Sequence, residues 1–163
     1  MSIQSTVKLL GALTVVLSSV WWGVGKVRHE RRKTDELDAF CDLVAFIGEN
    51  ISHFVRPLPE IYAEYTDGFP RGSAFAEVLR AEGMNAAIDT LAVNEDDACA
   101  RDMYSFAERI GGGFREEQTE LCEYTRSRLL AVCEKRKTTA KEREKLYLTI
   151  PLLLSFAAIL MFI

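Results

Sequence analysis

Two stretches without a single charged side chain lie near opposite ends of this sequence, and they constrain its fold more than anything between them. The first runs from Leu9 to Gly25, 17 residues reading LLGALTVVLSSVWWGVG, and the second from Leu146 to Ile163, 18 residues reading LYLTIPLLLSFAAILMFI. Crossing the hydrocarbon of a bilayer as a helix takes about 20 apolar residues, with 17 near the lower limit. Val7 extends the first run past the single Lys8. Trp21 and Trp22 stand near its end, where indoles favour the membrane–water interface. A secretory signal would carry its bases before the apolar run and a small-x-small site after it. Here the bases follow the run and paired tryptophans occupy the cleavage position, so a retained membrane helix is the expectation. In the second run Pro151 lies early, where a membrane helix bends rather than ends. The expected spans are residues 6–25 and 146–163.

Charge then sets the orientation. Residues 26–33 hold five bases and one acid, residues 135–145 six bases and two acids, and residues 34–134 between them 21 acids and 8 bases. The overall net charge of −4 conceals this division. Both basic necks lie on the inner side of their apolar run. Lys and Arg are retained in the cytoplasm, so the body, residues 26–145, is expected there with both termini on the opposite face. Trp21, Trp22, Arg31, Arg32, Lys145 and Tyr147 are the residues expected at the lipid interface. An acidic body is repelled by an anionic leaflet that attracts the necks.

The body reads as all-α. Leu37, Phe40, Val44, Ile47, Ile51 and Phe54 recur at gaps of 3, 4, 3, 4 and 3, a narrow stripe along one helical face. It is too short for a coiled coil, so packing within one domain is expected, on a helix continuing the first span from about Thr6 to Val55. Pro57 and Pro59 stop it, and Pro59 opens a short second helix with Glu60 in its first turn. Asp67 to Gly72 is dense in breakers and reads as a loop. Ser73 is expected to cap a third helix ending at Gly83, Asn85 a fourth, and Asn94, Asp96 or Asp97 a fifth reaching about Ile110. Gly111, Gly112 and Gly113 make a helix–helix turn rather than a phosphate loop, because no Lys-Ser/Thr follows. From Arg115 a second long helix runs into the second span, with Leu121, Cys122, Leu129, Val132 and Cys133 on its apolar side. The result is a bundle built on two long helices with short helices between.

No chemistry-bearing constellation stands out. His29 and His53 are the two histidines, and neither lies in a zinc-protease pattern. No G-x-S-x-G occurs. Cys41, Cys99, Cys122 and Cys133 form no C-x-x-C and read as reduced, buried thiols. Acid pairs such as Asp96-Asp97 and Glu116-Glu117 read as helix-start charges. No catalytic residue, metal ligand or cofactor is assigned. Nucleic acid is a poor partner for a body that repels phosphates.

Lys8-Leu9-Leu10-Gly11-Ala12 at the first span, Pro57-Leu58-Pro59-Glu60, Phe106 followed by Ile110-Gly111, Arg115-Glu116 with Gln118, and Tyr147 before the final apolar run recur in a set order and spacing. In that pattern the whole chain resembles stage III sporulation protein AB of endospore-forming bacteria. It departs at Asn50, where a glutamate is usual, at Phe114, where an acid is usual, and at Pro151, where a glycine is usual. The resemblance implies a non-enzymatic role in a channel complex between mother cell and forespore, with the body on the mother-cell side. It also implies likeness to the cytoplasmic domains of inner-membrane platform proteins in type II secretion and type IV pilus machines. The body would then join other stage III proteins to a cytoplasmic secretion-type ATPase. Candidate contact residues are Pro57, Leu58 and Pro59, which shape one turn, and Arg115, Glu116 and Gln118 at the second long helix. Self-association of the body stays open. A signal-transducing membrane bundle is the alternative, disfavoured because almost no chain lies outside to receive a cue. A membrane-tethered enzyme using the acid-rich body is a third.

Overall fold

The structure is a computed structural model and describes residues 3–162 apart from 55, 66–68, 70–72 and 96. The described residues are helical, with no strand among them. In chain order the elements are α1 (Ile3–His53), α2 (Leu58–Glu64), α3 (Phe75–Ala81), α4 (Met84–Asp89), a 3₁₀ turn (Ala92–Glu95), α5 (Asp97–Arg109) and α6 (Arg115–Phe162). The chain divides into two compact units, one of residues 1–31 with 138–163, the other of residues 32–137. α1 and α6 contribute residues to both.

In the second unit α1 is the central element. Its predicted stripe residues Leu37, Phe40, Val44 and Ile47 are buried, but so are Glu36, Ala39, Cys41 and Leu43 from its other sides. Two layers account for this. On one side lie the short helices: the Phe40 ring stands edge-on to Phe75 of α3 at 6.3 Å and to Phe106 of α5 at 6.2 Å. The Tyr65 hydroxyl donates to the Ala39 carbonyl at 3.3 Å. On the other lies α6, so close that a Cβ on Gly48 would stand 3.1 Å from that of Cys122. Lys137 Nζ reaches Asp38 Oδ1 at 3.2 Å across the same pair of helices. The short helices pack in succession, each on the next.

One buried carboxylate ties α1 to the layer of short elements. Glu36 is 0% exposed, takes the Arg32 guanidinium at 2.7 Å on Oε1, and accepts the backbone N–H of Val93 at 3.2 Å on Oε2. Burial of a carboxylate without such partners would be costly, and here both oxygens are used. No buried side-chain nitrogen or oxygen among the described residues lacks a hydrogen bond.

Several local expectations need correction. α4 begins at Met84 with Gly83 as its N-cap, at φ 93°, so Asn85 lies inside the helix and not at its cap. Ala74, not Ser73, is the N-cap of α3, although the Ser73 hydroxyl accepts the Phe75 N–H at 3.3 Å. α3 closes at Ala81, two residues before Gly83, and a 3₁₀ turn intervenes before α5. The expected loop residues Asp67, Gly68, Pro70, Arg71 and Gly72, and the cap candidate Asp96, lie outside the described residues. So do the side chains of Asn94 and Asp97.

In the first unit, Leu17, Trp21, Trp22, Ile150 and Leu153 are exposed. Among the described residues no helix is long and apolar enough to cross a membrane. The crossing helices expected at 6–25 and 146–163 therefore have no counterpart there, because most side chains of the two uncharged runs lie outside the described residues. Lys145, Tyr147 and Pro151 are among them.

Candidate functional site

The two turns singled out in the sequence meet in space. α1 ends at His53, and the Phe54 N–H donates the last helical bond, to Asn50 O at 2.9 Å. Proline at 57 forces the preceding residue out of the helical region. Pro57 is extended (φ −67°, ψ 144°) and caps α2, its carbonyl accepting the Glu60 N–H at 3.0 Å. Pro59 sits in the first turn, where a missing N–H costs nothing. Arg56 ties the far end of α2 back to this turn through Glu64 at 2.5 Å. Pro57 and Pro59 are exposed, while Leu58 is half-buried with its Cδ1 lying over Gly111. A Cβ at position 111 would come within 2.7 Å of that methyl.

The glycine turn is built for that approach. Gly111 (φ 90°) and Gly113 (φ 97°) occupy a left-handed region that disfavours residues with a Cβ. Phe114 is the residue before α6, and its N–H donates to the Glu117 carboxylate at 3.3 Å, one half of a capping box. Gln118 is 6% exposed and closes the turn from inside: its Oε1 accepts the Gly111 N–H at 2.7 Å, and its Nε2 donates to the Gly112 carbonyl. Of the candidate contacts, Gln118 thus turns inward and holds its own loop. Pro57, Pro59, Arg115 and Glu116 face solvent at the same end of the body.

Arg115 and Glu116 belong to an open groove along the start of α6, lined also by Ser52, Thr119, Glu120 and Glu123. The carboxylates at 116, 120 and 123 fall on one face of the helix. None of the three forms an ion pair among the described residues. Sequence reading passed over Glu120 and Glu123, although their spacing from Glu116 was the available signal. It also placed Phe54 in the buried stripe, whereas Phe54 is 56% exposed, and it did not single out Phe114 as a surface ring, which is 76% exposed. His53 is exposed with its ring 6.4 Å from that of Phe54, and the Arg56 guanidinium stands 5.3 Å from the same ring.

The remaining expected residues lie elsewhere. Trp21, Trp22, Arg31 and Arg32 are exposed, with Arg32 engaged by Glu36. None of the four cysteines forms a disulfide, and all are buried. Burial pushes the thiols of Cys41 and Cys122 up to about 12, and that of Cys133 to about 11, so they stay protonated and unreactive at neutral pH. Among the described residues no group of three or more His, Cys, Asp or Glu is placed to hold a metal ion.

Fold and site together define an all-helical protein organised on two long helices, with the two turns and the groove at one end of its body. The chain belongs to the stage III sporulation protein AB family, whose model matches residues 8–163. No curated protein and no solved structure matches it.

Proposed function

We propose that this chain is a non-enzymatic, membrane-anchored platform of a sporulation-specific, secretion-like channel complex, and that its body couples a cytoplasmic ATPase to the membrane assembly. Membership of the sporulation family over residues 8–163 carries the reading. The uncharged runs at 9–25 and 146–163, each with a basic neck on its inner side, support anchoring at both ends and a body on the mother-cell side. The excess of acids over residues 34–134 supports docking through charge.

Affinity purification of the tagged full-length chain from sporulating cells, read by mass spectrometry, tests this. Recovery of other stage III proteins and of a secretion-type ATPase, lost at high salt, is the expected result. A folded, membrane-inserted bait that recovers none of them sinks the reading.

A further inference from the structure

The end of the body where α1 stops and α6 starts carries both exposed apolar rings and carboxylates without ion pairs among the described residues. Phe114 is 76% exposed and Phe54 56%, while Phe40, Phe75 and Phe106 of the same unit are buried. The groove that follows Phe114 along α6 is lined by Glu116, Glu120 and Glu123, with Arg115 as the base in its lining. Those carboxylates span about 10 Å along α6 at 1.5 Å per residue. Like charges at this spacing repel one another, and an exposed ring forgoes its burial, although Glu116 is favoured by the first turn of α6 and Phe54 by the Arg56 guanidinium. Both are relieved together by one kind of visitor.

We propose that this groove, with Phe54 and Phe114, receives a basic amphipathic helix from a partner protein. Its apolar face would cover the two rings, and its Lys or Arg side chains would enter between the glutamates, the arrangement by which helices dock in grooves. Charge complementarity selects this occupant. The body carries 21 acids against 8 bases over residues 34–134, and the groove itself three glutamates against Arg115. A second copy meeting the same surface would set three glutamates against three, with a single Arg115 from each copy to offset them. Anionic lipid and nucleic acid are repelled for the same reason. The inference deepens the platform reading by naming where its soluble partner sits and with what chemistry.

The test uses the full-length chain in nanodiscs of zwitterionic lipid, with benzoylphenylalanine in place of Phe114 or, as a control, of the exposed Glu77 on α3. The probe is a fluorescent 18-residue helix of leucine and lysine at helical spacing, and irradiation is followed by gel analysis. An adduct from position 114 and little from position 77 is expected. Glu116→Gln, Glu120→Gln and Glu123→Gln together should lower the adduct about tenfold, as expected for three exposed pairs. Asp35→Asn, Glu77→Gln and Glu82→Gln, equally exposed, should leave the position-114 adduct within about twofold, since distant surface charges act weakly at physiological salt. Equal adducts from both positions, equal losses in both triple variants, or a chain–chain adduct replacing the peptide adduct would each overturn the proposal. The platform reading fails separately, on the affinity purification, whichever way the peptide result falls.

Discussion

Between residues 36 and 48, α1 is closed in by short helices on one side and by α6 on the other; beyond it His53, Phe54, Arg56, Pro57 and Pro59 lie open to solvent. Phe40 and Phe54 belong to one heptad-spaced series, yet Phe40 is wedged between Phe75 and Phe106, whereas among the described residues the ring of Phe54 meets His53 and Arg56. What separates them is the partner layer. The short helices cover the middle of α1 and leave its end uncovered. A sealed region answers for stability, and an open one is free to answer for contact.

That contrast can be broken most forcefully in the middle. Phe40→Ala removes a ring packed on two others and should cost about 4 kcal/mol of unfolding free energy, read by urea titration of the helical circular dichroism signal. A loss under 1 kcal/mol would mean the sealed layer is not closed. Glu36→Ala strips the Val93 N–H of its acceptor and frees Arg32, and about 2 kcal/mol should go in the same assay. Gly113→Ala should cost about 1–2 kcal/mol, from its positive φ and from the Glu117 carboxylate 2.6 Å from the new methyl. Phe114→Ser, at the open end, should change stability by less than about 0.5 kcal/mol. A larger loss there would erase the distinction between the two regions.

Alkaline titration sharpens the same point. The native thiols of Cys41, Cys122 and Cys133 hold their protons to about 12, 12 and 11, against an ordinary value of 9.0. Above pH 9 the unfolded chain loses protons that the native chain retains, so stability falls as pH rises toward the native values. The urea midpoint should be flat in this contribution below pH 9 and decline above it. Replacing the three cysteines by alanine should flatten the decline.

Much of the fold was legible because its signals are local. Two prolines and a glycine triplet mark where helices stop and start without reference to any neighbour. The short elements were less so. Gly83 rather than Asn85 caps α4 because the chain reverses there at a positive φ, which no cap propensity encodes. The stripe on α1 suggested one buried face, whereas two layers bury both, and Cys41 and Leu43 carry no periodic sign of it. At the candidate site the sequence pointed to Pro57, Leu58, Pro59, Arg115, Glu116 and Gln118 together. The structure brings the two turns into contact through Leu58 and Gly111 and turns Gln118 inward on Gly111 and Gly112. Helical periodicity sets Gln118 on the face of α6 opposite Glu116 and Glu120, and the approach of the glycine turn decides which face is covered.

The most direct test of the account compares three tagged full-length chains purified from sporulating cells: unaltered, neutralised at Glu116, Glu120 and Glu123, and neutralised at Asp35, Glu77 and Glu82. The account predicts that a secretion-type ATPase accompanies the first and third and is lost from the second, with all three equally folded. Equal recovery from all three would contradict docking at the open end, and no recovery from the unaltered chain would contradict the platform itself.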